Sequence, residues 1–347
     1  MVSSNGTVRR SSVKSDTSAS VRSRASRKSS KRKSAGSVLI VSPPSRTASA
    51  GNTITAQRYA RMFRALGHSS RIAPAFDGQD AACLVALHAR KSAKSVLAYR
   101  AAYPRRRIIL VLTGTDVYRD IRRSRAALRA MEAADVLVTL QPQAIAEVPP
   151  HLRKKVRAII QSSPRRAHKG RADSTLRICV LGHLRSEKDP MRAAYALRKV
   201  DPQLDVEVTH GGGILAPSYE RATRDEMERN PRYRYVGELR RSKALTLLAR
   251  SDLLIQSSRL EGGANTVCEA LACGTPVLAS RIPGNTGILG RRYPGLYDAG
   301  DSEALAQLIE LAATSRTFYR QLRTACERLA PLVDPKREAR AWRELLE

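Results

Sequence analysis

Two glutamates separated by seven residues stand where a ligand with hydroxyl groups could be bound. Glu261 precedes Gly262 and Gly263, and Glu269 lies within the run ANTVCEALACG, whose Ala and Cys content predicts a buried helix that ends near Gly274. A buried carboxylate without a partner is unfavourable, so Glu269 requires either an internal hydrogen-bond donor or the hydroxyls of a ligand. A ribose diol suits the second role, because an ionised carboxylate accepts a hydrogen bond from each hydroxyl.

The start of the same helix offers a place for an anion. The first N–H groups of a helix have no intrahelical partner and attract negative charge. Here they belong to Gly262, Gly263, Ala264 and Asn265, with Thr266 following. We expect these residues to bind the same ligand as Glu269.

Two cations follow another predicted strand, in the segment GHLRSEKDP. Arg185 and Lys188 lie at the start of a predicted helix, where a positive charge is unfavourable unless an anion lies beside it. A bound phosphate would supply that anion, whereas the alternative is an ordinary solvated helix start. The glycines of the segment HGGG, among them Gly211, either let the backbone approach a ligand closely or form a flexible turn.

The first half of the chain has a second group of polar residues at predicted strand ends. Gly51, Asn52 and Thr53 form a strand-to-helix turn that could face an anion, and Arg58 could point to the same cleft. His88 ends an apolar strand, where it is either a catalytic or acceptor-contacting residue or a core histidine.

Basic and hydroxyl-bearing residues follow two of these strands. Arg90, Lys91 and Lys94 come just after one strand and are either ligands of a small polyanion or surface charges. In the segment TGTD, Asp116 either contacts the acceptor or caps the helix that follows. The predicted acceptor-binding residues are Gly51, Asn52, Thr53, Arg58, Arg90, Thr113, Gly114, Thr115 and Asp116.

The elements that must position these residues are strands alternating with helices, which predict parallel sheets built from βαβ units. A polar, basic, turn-rich stretch over residues 162–177 interrupts the alternation, and a second series then begins. The fold class is therefore α/β with two doubly wound, Rossmann-like domains facing a central cleft, in which ligands bind outside the carboxyl ends of the strands. The expected limits are a basic Ser/Arg/Lys-rich tail over 1–36, a first Rossmann-like domain over 37–162, a linker over 163–175, a second Rossmann-like domain over 176–330 and a C-terminal helix over 331–347 that could cross back to the first domain.

Charge and cysteine content restrict the classes of protein. The 62 Lys and Arg against 31 Asp and Glu give a net charge of +31, which favours anionic partners. The tail has almost no apolar residues, so we expect it to be disordered, and neither a secretory signal nor a membrane span is evident. Five scattered cysteines favour a reducing cytoplasm and argue against a structural zinc site. We expect a soluble cytoplasmic protein, ahead of an organelle-targeted one.

The second half resembles a known family on four elements that occur in order. Glu261 and Glu269, with the segments GHLRSEK, YVGEL and ALACGTPVLAS, resemble the donor-binding half of GT-B glycosyltransferases of family 4. The resemblance implies that Glu269 holds the nucleotide ribose, that Arg185 and Lys188 clasp the diphosphate, and that Glu261 faces the donor sugar. His183 stands where the family often has Arg, so the second diphosphate cation is either His183 or Arg185.

The first half narrows this resemblance. The segments SAGNTITAQRYARMFRALGH, LVALHARKSA, LTGTDVYRDI and VRAIIQSS resemble the selenosugar synthases of selenoneine biosynthesis. The resemblance implies transfer of the sugar of a UDP-sugar, such as UDP-N-acetylglucosamine, to selenophosphate. It also implies that residues 37–162 form the acceptor domain and residues 176–330 the nucleotide-sugar domain. The implied partners are these small substrates and pathway enzymes, without a membrane.

Two other functions stay open. A family 4 enzyme could use a hydroxyl acceptor, with Asp116 or His88 as the base that removes its proton. A nucleic-acid-binding protein could use the basic tail, but aromatic residues are only 4%, which leaves few platforms for stacking bases. No D-x-D motif is present, so we expect no metal and no cofactor, with cations and a helix N-terminus stabilising the departing diphosphate.

Overall fold

The computed structural model describes residues 36–44, 51–114, 116–168 and 173–347. The predicted tail therefore lies outside the described residues except for Gly36, as do Thr115 and four residues of the predicted linker. The described chain forms two six-stranded parallel sheets, one from each half of the sequence.

The first sheet has the strand order β2-β1-β3-β4-β5-β6. Its strands are β1 (Ser37–Val41), β2 (Ser69–Ala73), β3 (Cys83–Leu87), β4 (Arg107–Leu112), β5 (Val136–Thr139) and β6 (Val156–Ala158). The helices are α1 (Gly51–Ala65), α2 (Ala93–Ala102) and α3 (Arg125–Ala133), with a π-helical turn at Asp116–Asp120 and 3₁₀ turns at Pro142–Glu147 and Pro150–Lys155. Because helices cover the central strands on both faces, those strands are continuous apolar runs.

The second sheet has the order β12-β11-β10-β7-β8-β9. Its strands are β7 (Leu176–Leu181), β8 (Val206–Gly211), β9 (Tyr233–Tyr235), β10 (Leu253–Gln256), β11 (Val277–Ser280) and β12 (Leu296–Tyr297). The helices are α4 (Arg192–Leu197), α5 (Ser218–Arg229), α6 (Arg241–Arg250), α7 (Asn265–Cys273), α8 (Pro283–Leu289), α9 (Ser302–Thr314), α10 (Arg316–Leu329) and α11 (Pro335–Leu346), with 3₁₀ turns at Ser186–Lys188 and Ala330–Val333. The α/β class predicted from the sequence, with two doubly wound domains, is confirmed.

The last helix, α11, packs on the first sheet rather than on the second. Trp342 is fully buried, with its ring centroid 4.6 Å from that of Tyr59 and 5.1 Å from that of Phe63 on α1. Glu338 on the same helix is buried, forms an ion pair with Arg58 and accepts a hydrogen bond of 2.8 Å from the N–H of Ser162. The C-terminal helix thus ties the crossover between the two halves to the first sheet.

Loops at the carboxyl ends of the two sheets are in direct contact. A Cβ added at Gly262 would lie 2.5 Å from the Cα of Gly114, closer than real Cβ atoms approach another atom. Gly263 is equally close to the side chain of Leu140. Glycine at these two positions lets backbone from one half rest on backbone and side chain from the other.

Candidate active site

A cavity of about 720 Å³ lies between the carboxyl ends of the two sheets. Its lining includes most of the residues predicted from the sequence. From the first half these are Gly51, Asn52, His88, Thr113 and Gly114, and from the second half they are His183, Arg185, Lys188, Gly211, Glu261, Gly262, Gly263, Asn265, Thr266 and Glu269. The two predicted groups therefore share one cavity.

Lys188 and Glu261 form an ion pair inside this cavity. The same oxygen of Glu261 accepts hydrogen bonds from the Nε2 of Gln256, at 2.9 Å, and from the hydroxyl of Ser258, at 2.7 Å. The two residues meet because β7 and β10, whose following loops carry them, are neighbours in the sheet. A cation and a carboxylate are thus held side by side, where a ligand could contact both.

Arg185 and His183 lie on the loop after β7 and both line the cavity. The Nε of Arg185 is buried and has no hydrogen-bond partner among the described residues. Because buried donors are almost always paired, this nitrogen is suited to a ligand that accepts hydrogen bonds. The Nδ1 of His183 accepts a hydrogen bond of 3.1 Å from the N–H of Gly213, so the neutral ring carries its proton on Nε2.

Glu269 on α7 faces the cavity and is paired with an arginine that the sequence motif did not include. The Nη1 of Arg241, at the start of α6, lies 2.7 Å from the Oε1 of Glu269. Burial raises the pKa of Glu269, and the charge of Arg241 opposes that rise. A cation in the first turn of a helix is unfavourable by itself, so the carboxylate also stabilises the position of Arg241.

The start of α7 presents backbone to the cavity. Gly262, Gly263, Asn265 and Thr266 line it, whereas Ala264 is fully buried and does not. The hydroxyl of Thr266 donates to the carbonyl oxygen of Leu181 at 3.3 Å, which ties α7 to the end of β7. The unpaired N–H groups of this helix start therefore lie beside Lys188, as an anion would require.

The backbone at His88 is in the left-handed region, with φ of 73°, which is uncommon for any residue except glycine. Strain of this kind concentrates at functional sites. The side chain is buried, burial lowers its pKa, and its Nδ1 is 3.4 Å from the N–H of Lys91, which donates to it. The neutral ring then has its proton on Nε2, which has no hydrogen-bond partner among the described residues.

Asp116 was predicted to contact an acceptor or to cap a helix, and the structure shows a different role. It is fully buried and its carboxylate accepts hydrogen bonds from three backbone N–H groups, of Ala89 at 2.9 Å, Gly114 at 2.7 Å and Thr113 at 3.3 Å. Asp116 therefore joins the loops after β3 and β4, and it does not line the cavity.

Three other predicted residues do not line the cavity: Thr53, Arg58 and Arg90. The guanidinium of Arg58 is held by Glu338 and by the carbonyl oxygen of Ser162. The guanidinium of Arg90 is half exposed and pairs with Asp120 at 2.8 Å. Thr115 lies outside the described residues.

The cavity is also lined by residues that the sequence motifs did not predict. Lys91, the neighbour of Arg90, lines the cavity and has no ion pair among the described residues. Gln57 on α1 and Glu238, Arg240 and Arg241 at the start of α6 also line it. No sequence signal distinguished Lys91 from Arg90, and both follow the left-handed turn at His88.

Other features of the described residues restrict the chemistry. No group of three or more His, Cys, Asp or Glu side chains in this part of the chain could hold a metal ion. The five cysteines are free and buried, and burial raises the thiol pKa of Cys83 and Cys268 to about 12. Across the same residues, no helix has both the length and the apolar content to cross a membrane.

Comparisons with known proteins agree with this arrangement. Residues 163–328 match the family described as Glycosyl transferases group 1. A curated Xenopus tropicalis protein, "Glycosyltransferase 1 domain-containing protein 1", is 26% identical over 186 residues, which are 53% of this chain and 52% of that protein. The match therefore spans about half the length of this relative.

Two similar solved structures are Anabaena Alr3699/HepE in complex with UDP and glucose and a sucrose-phosphate synthase from Thermosynechococcus elongatus. Each has a TM-score of 0.71 and 15% identity, and each comparison covers 89% of this chain and 98% of the other. The fold is GT-B, and the similarity to group 1 glycosyltransferases lies in residues 163–328, in the second half of the chain.

Proposed function

We propose that this GT-B glycosyltransferase transfers the sugar of a UDP-sugar, with UDP-N-acetylglucosamine as the first candidate, to selenophosphate. The product is a selenosugar for selenoneine biosynthesis. One observation carries the proposal. Lys188, Glu261 and Glu269, the residues predicted to bind the donor, line the same cavity as Lys91 and His88, which would contact a small anionic acceptor. That HepE was solved in complex with UDP and glucose supports a UDP-sugar as the donor.

The donor half suits the release of a diphosphate. Glu269 accepts hydrogen bonds from the ribose hydroxyls, while Arg185, Lys188 and the N–H groups at the start of α7 surround the diphosphate. Negative charge grows on the leaving diphosphate in the transition state, so cations placed there lower the barrier. Glu261 holds Lys188 in position and faces the sugar.

The acceptor half suits a small anion. Lys91 supplies a positive charge, Asn52 lies at the start of α1, and the Nε2 of His88 is available to donate a hydrogen bond. Selenium attacks the anomeric carbon, and the bond from that carbon to the diphosphate oxygen breaks, with its electron pair leaving on UDP. The product keeps its selenium–phosphorus bond, which hydrolysis must then cleave to free the selenosugar.

A charged selenium nucleophile needs positioning more than proton removal, whereas a hydroxyl acceptor needs a base, for which Asp116 and His88 were the predicted candidates. Asp116 is buried against backbone N–H groups, and the Nδ1 of His88 accepts from Lys91. These contacts make both groups poorly suited to remove a proton, which favours selenophosphate over a hydroxyl acceptor that relies on either of them.

The test is incubation of the protein with UDP-sugars and selenophosphate, followed by mass spectrometry. The expected product is a sugar that carries the selenium isotope pattern, formed together with UDP. Thiophosphate should react or compete, because it shares the charge and tetrahedral shape of selenophosphate. If a neutral sugar accepts instead, and millimolar thiophosphate neither reacts nor inhibits, the acceptor is a hydroxyl and the selenosugar proposal is wrong.

A further inference from the structure

A second cavity, of about 480 Å³, opens beside the first and is lined mainly by arginines. We call it the arginine pocket, and its lining residues are Tyr118, Arg119, Arg122, Arg123, Ser186, Glu187, Arg259 and Leu260. Leu260 also lines the larger cavity, so the two spaces are neighbours. None of the four arginines belongs to the constellation described above.

The acidic side chains near the arginine pocket bind only some of the N–H donors of its guanidinium groups. Arg119 is 3.5 Å from Glu187, which is too far for a strong hydrogen bond, and Arg259 uses its Nε to reach Asp189 at 3.3 Å. Arg122 pairs with Glu147 at 2.6 Å. The side chain of Arg123 has no ion pair or hydrogen bond among the described residues.

Four guanidinium groups line this space, with Glu187 in the lining and Glu147 and Asp189 beside it, and Asp189 is shared with Arg192. The pocket therefore keeps an excess of positive charge. Guanidinium groups bind oxyanions with paired hydrogen bonds whose geometry matches phosphate. An anion in this space would therefore offset the excess charge and satisfy the free donors. Most of the charged side chains that line the space are cationic, and Leu260 and the ring of Tyr118 add apolar surface beside them.

We propose that the arginine pocket binds a phosphate-class oxyanion, either a free ion or the phosphate group of an organic molecule. Arg119, Arg122 and Arg123 lie in the segment after β4 of the first sheet. Ser186 and Glu187 lie in the loop after β7 of the second sheet, and Arg259 lies in the loop after β10. The bound anion bridges the two halves. The site does not depend on which acceptor the enzyme uses.

Occupation of the pocket would also affect the donor loop. Glu187 stands between Arg185 and Lys188, and its carbonyl oxygen accepts hydrogen bonds from the N–H of Arg259 at 2.8 Å and of Leu260 at 3.3 Å. Leu260 precedes Glu261, the partner of Lys188. An anion held by Arg259 thus steadies the loop that carries the two donor cations.

The experiment is calorimetric titration of the full chain with pyrophosphate at a fixed salt concentration. The test variant is Arg123→Gln/Arg259→Gln. The matched control is Arg316→Gln/Arg320→Gln, which removes the same charge from exposed positions on α10. Lys91→Ala and Lys188→Ala report binding on the two sides of the larger cavity. We expect the test variant to lose at least tenfold in affinity for one binding event, which the control, Lys91→Ala and Lys188→Ala all keep.

Three results would overturn the proposal. First, pyrophosphate binding could disappear in Lys91→Ala or Lys188→Ala and persist in the test variant, which would place the bound anion in the larger cavity. Second, both double variants could weaken equally, which would indicate general charge attraction. Third, the wild type and all variants could bind pyrophosphate with the same affinity, or none of them could bind it. If the test variant is misfolded by circular dichroism, Arg122→Gln serves in its place with the same expected loss.

A second arm identifies the source of the phosphate. Inorganic phosphate and glucose 6-phosphate are titrated into Lys91→Ala. Equal affinities indicate a site for the free ion, and at least tenfold tighter binding of the ester indicates an organic ligand. The pyrophosphate titration should be accompanied by a rise in melting temperature in the wild type that the test variant lacks, because the anion bridges the two halves.

Discussion

The guanidinium of Arg241 lies 2.7 Å from the carboxylate of Glu269, although the two residues lie on different helices and no sequence motif connects them. Burial raises the pKa of Glu269, and the charge of Arg241 opposes this rise and so favours the ionised carboxylate. The ability of Glu269 to accept hydrogen bonds from a ribose therefore depends on its neighbour.

Replacing Arg241 should make nucleotide binding depend on pH. Burial raises the pKa of Glu269 and Arg241 lowers it, so the variant Arg241→Gln has a still higher pKa. Protonation then begins at a higher pH than in the wild type, and UDP affinity should fall further as the pH is lowered, by about tenfold at most, the scale of one charged hydrogen bond. Calorimetry of UDP binding over a series of decreasing pH values measures this. Arg240→Gln, which removes a neighbouring charge, should keep the wild-type profile, and identical profiles in all three proteins would contradict the role of Arg241.

Lys188 and Glu269 should differ in the kinetic constant that they affect. Lys188 meets charge that grows in the transition state, so Lys188→Ala should lower kcat by about 100-fold or more. Glu269 contacts a ribose that does not react, so Glu269→Ala should weaken UDP binding most. Steady-state kinetics with calorimetry of UDP separates the two effects. Equal UDP affinity in wild type and Glu269→Ala would remove Glu269 from the nucleotide site.

Adjacent cations should behave differently towards the acceptor. Lys91 lines the cavity, whereas Arg90 is held at Asp120 outside it. Lys91→Ala should raise the acceptor KM about tenfold, since it removes one charged contact, and Arg90→Ala should change it less than twofold. Donor KM should stay constant in both. An equal effect of the two substitutions would mean that the cavity does not bind the acceptor as an anion.

Glu338 should be required for stability rather than for binding. It is buried against Arg58, and removing one partner of a buried ion pair leaves an uncompensated charge. Glu338→Ala should lower the free energy of unfolding by about 3–5 kcal/mol. Urea unfolding measures the loss. Glu344→Ala, on the exposed side of the same helix, is the control and should stay within about 0.5 kcal/mol of wild type. A loss of similar size in both would contradict the importance of the pair.

Gly262→Ala should impair activity more than stability. Its new Cβ meets the Cα of Gly114, so the loop after β10 must move away from the first sheet. The movement displaces Glu261. A displacement of about 1 Å in a group that positions substrate can lower the rate about 100-fold, so we expect a loss of that size in kcat/KM. The unfolding free energy should fall by only about 1–3 kcal/mol, the usual range for overpacking. Unchanged kcat/KM would show that the contact between the loops is not needed for the reaction.

The sequence predicted the two-domain fold and most of the cavity-lining residues of the second half, because each strand-to-loop junction there carries a local signal. Neither ion pair of this half was predicted. Lys188 meets Glu261 because β7 and β10 are neighbours in the sheet, and Arg241 meets Glu269 because α6 packs against α7. The strand β2 was also missed, because three of its five residues are exposed and its pattern is polar.

The acceptor side was harder to predict for a related reason. Arg90 and Lys91 are adjacent cations that follow the left-handed backbone at His88, and only Lys91 lines the cavity, which no local sequence pattern distinguishes. Arg58 was predicted to face the cleft from its place on α1, but α11 returns from the far end of the chain and holds it. Contacts between residues 280 positions apart leave no local pattern.

The return of α11 affects how the protein is made. The first sheet is complete once Ala158 has been synthesised, but the surface formed by Tyr59 and Phe63 is covered by Trp342 only when the other domain has been translated. At ribosomal speeds the delay is roughly 10–40 s. During that time the nascent first domain presents an aromatic surface to the cell, which makes this surface a natural place for a chaperone to bind. Translation that stops before Trp342 would leave that surface exposed permanently, even though both sheets are complete.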